Sequence, residues 1–385
     1  MRLNRAMAFP DSSDERSAAI RSIADAAYTE HDLASLIVQV RIGGEVISEF
    51  AQGAAMSGVP ATTGDHFRNG AVAIAYLAAA LLRLDERREL GLDKPIAPHL
   101  PGFPAADVVT PRMLISMTSG YPDYVADQRF VDAWAANPFR AWTAEELIEF
   151  STTSQRLFAP GTNWDYSHSG IVILGRVIEA ATRKPLAQVL ADEVLTPAGL
   201  THTVSEQTAR IPDPIQHGFT AERGIYEDAT FWNPSWTLAE GAVQTTTIDD
   251  MARSFDAIVG GEGSVLKPES RAQMIDPRLV GFGAPLEGCR SCHTLTRDFA
   301  YGLGVFLIGD WVAQSPLFGG YSAAVMTLPK DRRGAEEGAV TIAVAGVVGE
   351  SGHDDWTGDL ENYPASIASR IAAELVPANP PRQSP

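Results

Sequence analysis

The stretch FRNGAVAIAYLAAALLRLDERREL, residues 67–90, decides how the rest of the chain is interpreted. Apolar side chains recur at helical spacing from residue 71 to residue 89, and Gly91 with the extended triplet DKP at 93–95 ends the pattern. The longest apolar run, residues 71–82, has about 12 residues, whereas a helix needs about 20 to span a bilayer. The stretch therefore predicts a buried helix of a globular protein rather than a membrane span.

The chain is acidic and rich in apolar residues. Its 385 residues include 30 Lys plus Arg against 48 Asp plus Glu, for a formal net charge of −18. Proteins that bind phosphate backbones or anionic lipid surfaces need clustered cations, and no basic run occurs in this sequence. We therefore expect neither nucleic acid nor membrane as a partner. The N-terminal residues contain no apolar run of signal-peptide length, which predicts a cytoplasmic protein.

Strand and helix patterns follow one another in blocks. A helix precedes a β-hairpin with a Gly43-Gly44 turn, a long block of helices follows, and strands return before a closing helix. The predicted helices cover residues 17–29, 143–152, 171–182, 186–193, 247–259 and 365–375, and the predicted strands cover 36–42, 45–50, 301–308, 321–328 and 339–348. This order predicts an α/β (α+β) fold, in which helices flank an antiparallel sheet and an all-α subdomain is inserted.

The predicted sheet domain is split between the two ends of the chain. It comprises residues 1–66 and 254–385, and the helical subdomain comprises residues 67–253. With 45% hydrophobic and 20% charged residues, the chain can bury the large core that such a unit needs.

Six short strings carry a resemblance to a known family, because they occur in the expected order and at sensible spacing. They are FRNG at 67–70, GLDKPI at 91–96, MLISMTSGYPDY at 113–124, PGTNWDYS at 160–167, GIVILG at 170–175 and YGLG at 301–304. Over about residues 30–375 the chain resembles the serine β-lactamase and penicillin-binding protein superfamily, on the branch that includes class C β-lactamases, esterases and peptidases. The resemblance implies a β-lactamase/transpeptidase-like fold.

The first catalytic motif of that family, Ser-x-x-Lys, is lost at the matching positions. One helical turn brings residues i and i+3 to the same face, so that the lysine can take the proton of the serine nucleophile. The matching residues here are Ala71 and Ile74, which offer neither a nucleophile nor a titratable nitrogen. We expect both to line the former substrate site, next to Asn69, and we expect no acyl-enzyme to form there.

The second and third motifs also differ from the family pattern. Tyr-x-Asn is replaced by Tyr166-Ser167-His168, which keeps the tyrosine and introduces an imidazole that can exchange protons near neutral pH. With no lysine beside it, the pKa of Tyr166 has less reason to be lowered. The Lys-Thr-Gly position falls near Gln314-Ser315-Pro316, so the cation that meets a substrate carboxylate is missing. His168 could equally be a histidine that only hydrogen-bonds in a loop.

Aromatic side chains and one carboxylate complete the predicted site. In the resembling family the loops at Tyr121 and Tyr124 and at Phe231, Trp232 and Trp236 line the substrate cleft, although tryptophans most often serve core packing. Glu240 stands where the family usually has a small residue and could place a carboxylate near the cleft.

Other motifs in the sequence favour no catalytic role. Ser264-Val265-Leu266-Lys267 matches Ser-x-x-Lys, but Pro268 biases Lys267 toward an extended conformation. Cys289 and Cys292 with His293 match a haem c attachment pattern, and they fall short of four zinc ligands. A loop disulfide or two reduced thiols is the better interpretation. The acidic pairs 249–250 and 354–355 are typical of solvated or helix N-terminal positions.

The sequence thus predicts a β-lactamase-fold protein that has lost serine acylation and binds a small, apolar or aromatic molecule. The leading hypothesis is non-covalent acid/base catalysis by Tyr166, with His168 or Glu240, in a cyclisation, isomerisation, elimination or hydrolysis. The alternatives are an inactive binding or regulatory pseudoenzyme and an esterase or amidase with another nucleophile. We expect no cofactor and no metal, and the oligomeric state is left open.

Overall fold

The computed structural model describes residues 13–261, 263, 265–353 and 361–382. Ser264 and the pair 354–355, which the sequence analysis considered, lie outside this part of the chain. The helices are α1 (Ser13–Glu30), α2 (Val72–Glu86), α3 (Pro111–Ile115), α4 (Gln128–Ala136), α5 (Ala144–Thr153), α6 (His168–Thr182), α7 (Leu186–Leu190), α8 (Thr196–Ala198), α9 (Ile248–Phe255), α10 (Pro268–Met274) and α11 (Tyr363–Leu375).

The strands contribute mainly to one antiparallel sheet. They are β1 (Leu33–Ile42), β2 (Glu45–Met56), β3 (Val59–Pro60), β4 (Phe67–Arg68), β5 (Val204–Ser205), β6 (Phe219–Thr220), β7 (Glu227–Asp228), β8 (Gln244–Thr246), β9 (Ala300–Tyr301), β10 (Phe306–Ile308), β11 (Trp311–Gln314), β12 (Leu317–Phe318), β13 (Tyr321–Leu328) and β14 (Val340–Val348). Nine strands form the main sheet in the order β3-β2-β1-β14-β13-β11-β10-β9, with β12 paired to β13. Because β1 pairs with β14, the sheet is built from both ends of the chain, as predicted.

The main sheet is covered on both faces, and the alternation of side chains along β1 shows how. Ile37 packs into the large core around α2, whereas its neighbours Leu36 and Val38 pack into a second core with α1 and α11. Successive side chains of a strand point to opposite faces, so a strand buried on both faces is continuously apolar. The α/β architecture predicted from the sequence, an antiparallel sheet flanked by helices, is confirmed.

Helix α2 lies at the centre of the larger core. Nearly every residue of α2 is buried, from Val72 through Leu84. The main chain enters α2 through Gly70, whose φ of +52° lies in the left-handed region that glycine adopts without strain. Among the described residues, every helix is too short or too polar to cross a bilayer.

The predicted strand at 301–308 is wrong, because a tight turn divides it. β9 ends at Tyr301 and β10 starts at Phe306, and the N–H of Gly302 donates to the carbonyl of Val305. Gly304 has a φ of +70°, so the apolar run folds back on itself as a hairpin rather than continuing as one strand. β11, which follows it, was not predicted.

The hairpin β1–β2, the strands β13 and β14, and the closing helix α11 match the predicted elements. The predicted helices 186–193 and 247–259 are present, but each changes from an α-helix to a π-helical turn, at Ala191–Leu195 and Asp256–Gly260. The inserted region is mainly helical, and it also carries two small sheets, β4-β8-β5 and β6-β7, that the sequence did not predict. The predicted domain boundaries stay a prediction.

Candidate active site

A cleft of about 290 Å³ lies where α2, the start of α6 and strand β11 meet. Ala71, the residue that caps the N-terminus of α2, is part of its wall. Tyr166 and His168 come from the segment that enters α6, and Trp236 comes from the long loop before β8. The structure therefore brings these four sequence-predicted residues together, with Gln314 at the end of β11 as the fifth.

Close packing at the N-terminus of α2 leaves little room for a larger residue at Gly70. A methyl group there would lie 2.5 Å from Pro316 Cβ and 2.7 Å from Phe318 Cε1. These distances are well below van der Waals contact, so Pro316 and Phe318 close this side of the cleft against the backbone. Strand β12, which carries Phe318, therefore forms part of the cleft wall.

His168 is held by a carboxylate that the sequence analysis did not single out. Its Nδ1 lies 3.0 Å from Asp123 Oδ2, and its backbone N–H donates to Asp123 Oδ1 at 3.1 Å. Burial lowers the pKa of His168, but the negative charge and hydrogen bond of Asp123 outweigh burial and raise the pKa above its ordinary value. The pair has the geometry of a base held by an orienting carboxylate.

Asp123 is itself positioned by local structure. It caps the short 3-10 turn Tyr124–Ala126, and its Oδ1 accepts a hydrogen bond from the N–H of Val125 at 3.3 Å. The next residue, Tyr124, is fully buried, and its hydroxyl donates to the carbonyl of Trp236. Tyr124 was predicted to line the cleft, but it lies behind the wall and holds the Trp236 loop in place.

Tyr166 is a neutral phenol in this environment. Burial, followed by the negative charge of Asp123, raises the pKa of Tyr166 well above its ordinary value. Its ring stacks on Phe306 with 5.8 Å between ring centroids, and it meets the His168 ring edge-to-face at 5.4 Å. Tyr166 therefore keeps its proton at neutral pH and can donate a hydrogen bond.

The wall of the cleft is aromatic and carries little charge. Among the described lining residues, none is Lys, Arg, Asp or Glu, and the titratable ones are Tyr166 and His168. Phe306 and Phe318 add to Trp236 and Tyr166, and neither phenylalanine was predicted from the sequence. A site of this kind favours a small neutral ligand with an aromatic or apolar body.

Two residues predicted to bind substrate lie elsewhere. Asn69 is completely buried beneath the cleft, where its Nδ2 donates to Gln244 Oε1 at 3.2 Å. Tyr121 is 2% exposed, and its hydroxyl donates to the carbonyl of Pro104 at 2.5 Å. Both placements are corrections, because each side chain is buried and hydrogen-bonds to neighbouring structure away from the cleft.

Three further predicted residues also lie outside the cleft wall. Ile74 is completely buried in the core around α2 and does not line the cleft. Trp232 is buried edge-to-face against Trp134 at 5.6 Å, as an element of packing. Glu240 is exposed on the surface and supplies no carboxylate to the cleft.

Gln314, which was predicted to lie near the position of the family's cation, is a buried residue on the cleft wall. The residue is completely buried, and its Nε2 donates to the carbonyl of Gly304 at 2.7 Å. This bond ties β11 to the turn that divides β9 from β10. Gln314 therefore contributes to the shape of the cleft but brings no positive charge to it.

A second cavity of about 570 Å³ adjoins the cleft and shares Tyr166 and Val125 with it. Cys289 lies on its wall and forms a disulfide with Cys292, which decides between the two predicted states of this pair in favour of the disulfide. Asp165 lies beside the disulfide, and its carboxylate oxygen and the two sulfur atoms lie within 4.8 Å of one another. The bonded sulfurs are not thiolates, so this group does not present a set of metal ligands.

Comparisons with known proteins agree with the fold and with the family resemblance. A family model described as Beta-lactamase matches residues 20–360. Esterase EstB of Burkholderia gladioli is 27% identical over 70% of this chain and 76% of its own length. Penicillin-binding protein 4 of Amycolatopsis lactamdurans is 32% identical over 50% of this chain, which spans about half, 51%, of that protein.

Solved structures show the same architecture. The D-amino acid amidase of Ochrobactrum anthropi SV3, complexed with L-phenylalanine amide, superposes with a TM-score of 0.74 at 22% identity, over 94% of this chain and 98% of the amidase. The octameric penicillin-binding protein homologue of Pyrococcus abyssi gives a TM-score of 0.75 at 18% identity, over 94% and 78% of the two chains. At these identities the likeness concerns the fold alone.

Proposed function

The chain belongs to the β-lactamase family, and we propose that it is a small-molecule enzyme that acts without a serine acyl-enzyme, with the Asp123–His168 pair as its proton-transfer group. One observation carries the proposal. The 3.0 Å contact between His168 Nδ1 and Asp123 Oδ2 builds an oriented imidazole into the wall of a cleft whose position 71 is alanine.

The hydrogen bond of His168 and the raised pKa of Tyr166 indicate which group moves a proton and which keeps it. Asp123 occupies Nδ1 of His168, so Nε2 is the nitrogen that exchanges a proton with water or a ligand. Tyr166, with its raised pKa, keeps its proton and stabilises negative charge that develops on a substrate oxygen. Such acid–base groups contribute about 10²- to 10⁴-fold to a rate.

The substrate class follows from the wall of the cleft. The aromatic rings and the absence of charged side chains among the described lining residues favour a small, neutral molecule with an aromatic or apolar body. Hydrolysis of such an ester or amide by a water molecule that His168 activates is the first reaction to test, because an esterase and an amidase are among the similar proteins. Isomerisation, cyclisation and elimination need the same proton transfers.

One observation favours a second candidate, an esterase or amidase with another serine nucleophile. Ser315, next to Gln314 in the chain, lies on the wall of the same cleft as Ala71. A fluorophosphonate probe separates the two candidates, because labelling of the unmodified chain that disappears in Ser315→Ala identifies a covalent serine mechanism. An unlabelled chain that still hydrolyses its substrate supports the water-mediated mechanism.

The decisive experiment compares turnover with binding. A panel of neutral aromatic p-nitrophenyl esters and anilides is assayed with His168→Ala, Asp123→Asn and Tyr166→Phe, while Trp236 fluorescence reports ligand binding. We expect His168→Ala to lose at least 100-fold in kcat and to keep binding. The surface pair His217–Asp228, with Nδ1 and Oδ2 at 2.8 Å, provides the matched control His217→Ala, which should keep full activity.

The pH profile adds an independent check. A general base must be unprotonated, so kcat should rise with pH through the pKa of His168. Asp123→Asn removes the charge that raises this pKa, and the rising limb should therefore move to lower pH. Unchanged turnover in both His168→Ala and Tyr166→Phe would disprove the acid–base proposal, and ligand binding without any turnover would favour the pseudoenzyme.

A further inference from the structure

The second cavity contains a chemical group that the proposed reaction does not use. Cys289 and Cys292, with only two residues between them, form a disulfide, and Cys289 lies on the wall of the 570 Å³ cavity. A disulfide that closes so short a loop restrains the unfolded chain very little, so stabilisation alone is a weak reason for it. We propose that Cys289–Cys292 is a thiol–disulfide exchange site that reacts with dithiol reductants and with small disulfides, with Asp165 as its proton carrier.

The two sulfur atoms have different surroundings. Cys289 is partly exposed and lies on the cavity wall, whereas Cys292 is 8% exposed. The backbone N–H of Cys292 donates to Cys289 Sγ at 3.2 Å, and the same bond would stabilise a thiolate on Cys289 after reduction. Cys289 is therefore the sulfur that an external thiolate attacks, and Cys292 is the partner that later resolves the mixed disulfide.

Asp165 lies where the buried sulfur needs a proton carrier. Its carboxylate oxygen is within 4.8 Å of both sulfurs, and the hydroxyl of Ser291, from the dipeptide between the cysteines, donates to its Oδ1 at 2.5 Å. Asp165 is 7% exposed, so water has poor access to this proton. Burial raises the pKa of Asp165 to about 6, with the negative charge of Asp123 adding to the rise and the Ser291 bond opposing it.

The reduction is balanced in electrons and protons. A thiolate of the dithiol attacks Cys289 Sγ, the Cys289–Cys292 bond breaks, and the sulfur of Cys292 keeps the electron pair and takes a proton from Asp165. The second thiol of the reductant then gives its proton to the Asp165 carboxylate and, as a thiolate, displaces Cys289 as a thiolate, so the reductant leaves as a disulfide after giving two electrons. In the oxidative direction the Asp165 carboxylate takes the proton of Cys292, whose thiolate resolves a mixed disulfide at Cys289.

The first test locates the reactive sulfur in the full-length chain. After reduction with dithiothreitol, in buffer with EDTA so that no metal binds the thiols, the protein is mixed with oxidised glutathione. Acid quenching, alkylation and mass spectrometry then identify the products. We expect Cys292→Ser to accumulate a stable glutathione adduct on Cys289 and Cys289→Ser to form at least tenfold less adduct. Failure of millimolar dithiothreitol to reduce the folded chain would overturn the proposal.

The second test measures how fast Cys292 resolves the mixed disulfide. We expect Asp165→Asn to slow resolution at least tenfold at pH 7, and Asp165→Glu to restore part of the rate. The wild-type rate should rise as pH passes about 6, and this limb should be absent in Asp165→Asn. Asp127→Asn, on the wall of the same cavity, is the matched control and should react at the wild-type rate. A wild-type rate in Asp165→Asn would overturn the role of Asp165 even where a cysteine variant does not fold.

Discussion

Restoring the family's nucleophile tests whether positions 71 and 74 alone block acylation. In the double substitution Ala71→Ser with Ile74→Lys, the new hydroxyl would stand on the cleft wall at the N-terminus of α2. The new lysine would enter one helical turn later, and its amine could then take the proton of the serine. We expect the double variant to gain measurable p-nitrophenyl ester hydrolysis and fluorophosphonate labelling, and Ala71→Ser alone to gain neither.

The burial of Ile74 determines how much folding stability the double substitution loses. Ile74 is completely buried, so the substitution gives up about 1.5 to 3 kcal/mol of apolar burial and places an ammonium group in the core. We expect a total loss of about 3 to 5 kcal/mol, a large part of the roughly 5 to 15 kcal/mol that stabilises a folded domain. A buried ammonium has a folded-state pKa below its unfolded value, so the loss should shrink as pH rises.

The assay is urea unfolding at several pH values alongside ester hydrolysis and labelling. Ile74→Met is the matched control, because it changes the same buried position without a charge and should cost less than about 1.5 kcal/mol. A folded double variant that neither hydrolyses nor becomes labelled would refute the reasoning, since the cleft would then be remodelled beyond these two positions. The packing of Pro316 and Phe318 against Gly70 is the first place to look for such remodelling.

Three further substitutions have expected outcomes that stability measurements can check. Because the pKa of Asp165 is about 6 when folded and ordinarily 3.8, the wild type loses stability as pH rises through about 6. Asp165→Asn should therefore be about 2 to 3 kcal/mol more stable than the wild type at pH 8 and no more stable below pH 4. Parallel pH dependences of the two proteins in urea unfolding would contradict this. Gly70→Ala should lose about 1 to 3 kcal/mol and weaken ligand binding, because its methyl group meets Pro316; an unchanged melting temperature would exclude the clash. Thr143→Ala removes the capping box that starts α5 and should cost about 1 kcal/mol in urea, whereas Thr153→Ala at the exposed end of α5 should change little.

Much of the fold could be predicted because local pattern and global packing agree. The β1–β2 hairpin has a Gly43-Gly44 turn, and α2, β13 and β14 are apolar along almost their whole length, as their continuous burial requires. The prediction of one strand at 301–308 was wrong because the apolar composition suits a strand, whereas Gly304 adopts a positive φ and the chain reverses there. Composition shows apolar side chains but not the backbone angle of one glycine.

The site was predicted only in part, and the reason is geometric. Tyr166, His168, Ala71, Trp236 and Gln314 meet in the cleft, and the resemblance predicted them because they match the family's catalytic motifs and cleft loops. Sequence spacing gave no signal for Asp123, which lies 45 residues before His168 and reaches it only through the folded loop. Whether a predicted residue faces the cleft or the core depends on helix rotation and loop packing, as the misplaced residues show.

Asp123 influences titratable groups of both cavities. Its negative charge contributes to the raised pKa values of His168, Tyr166 and Asp165, so one carboxylate influences the groups of both cavities. In the resembling family a lysine at position 74 would supply a nearby positive charge, and isoleucine cannot. The His168 imidazole, hydrogen-bonded to Asp123, is then the group that can balance this charge on protonation. Among the described residues that line the cleft, His168 is therefore the one that can carry a positive charge.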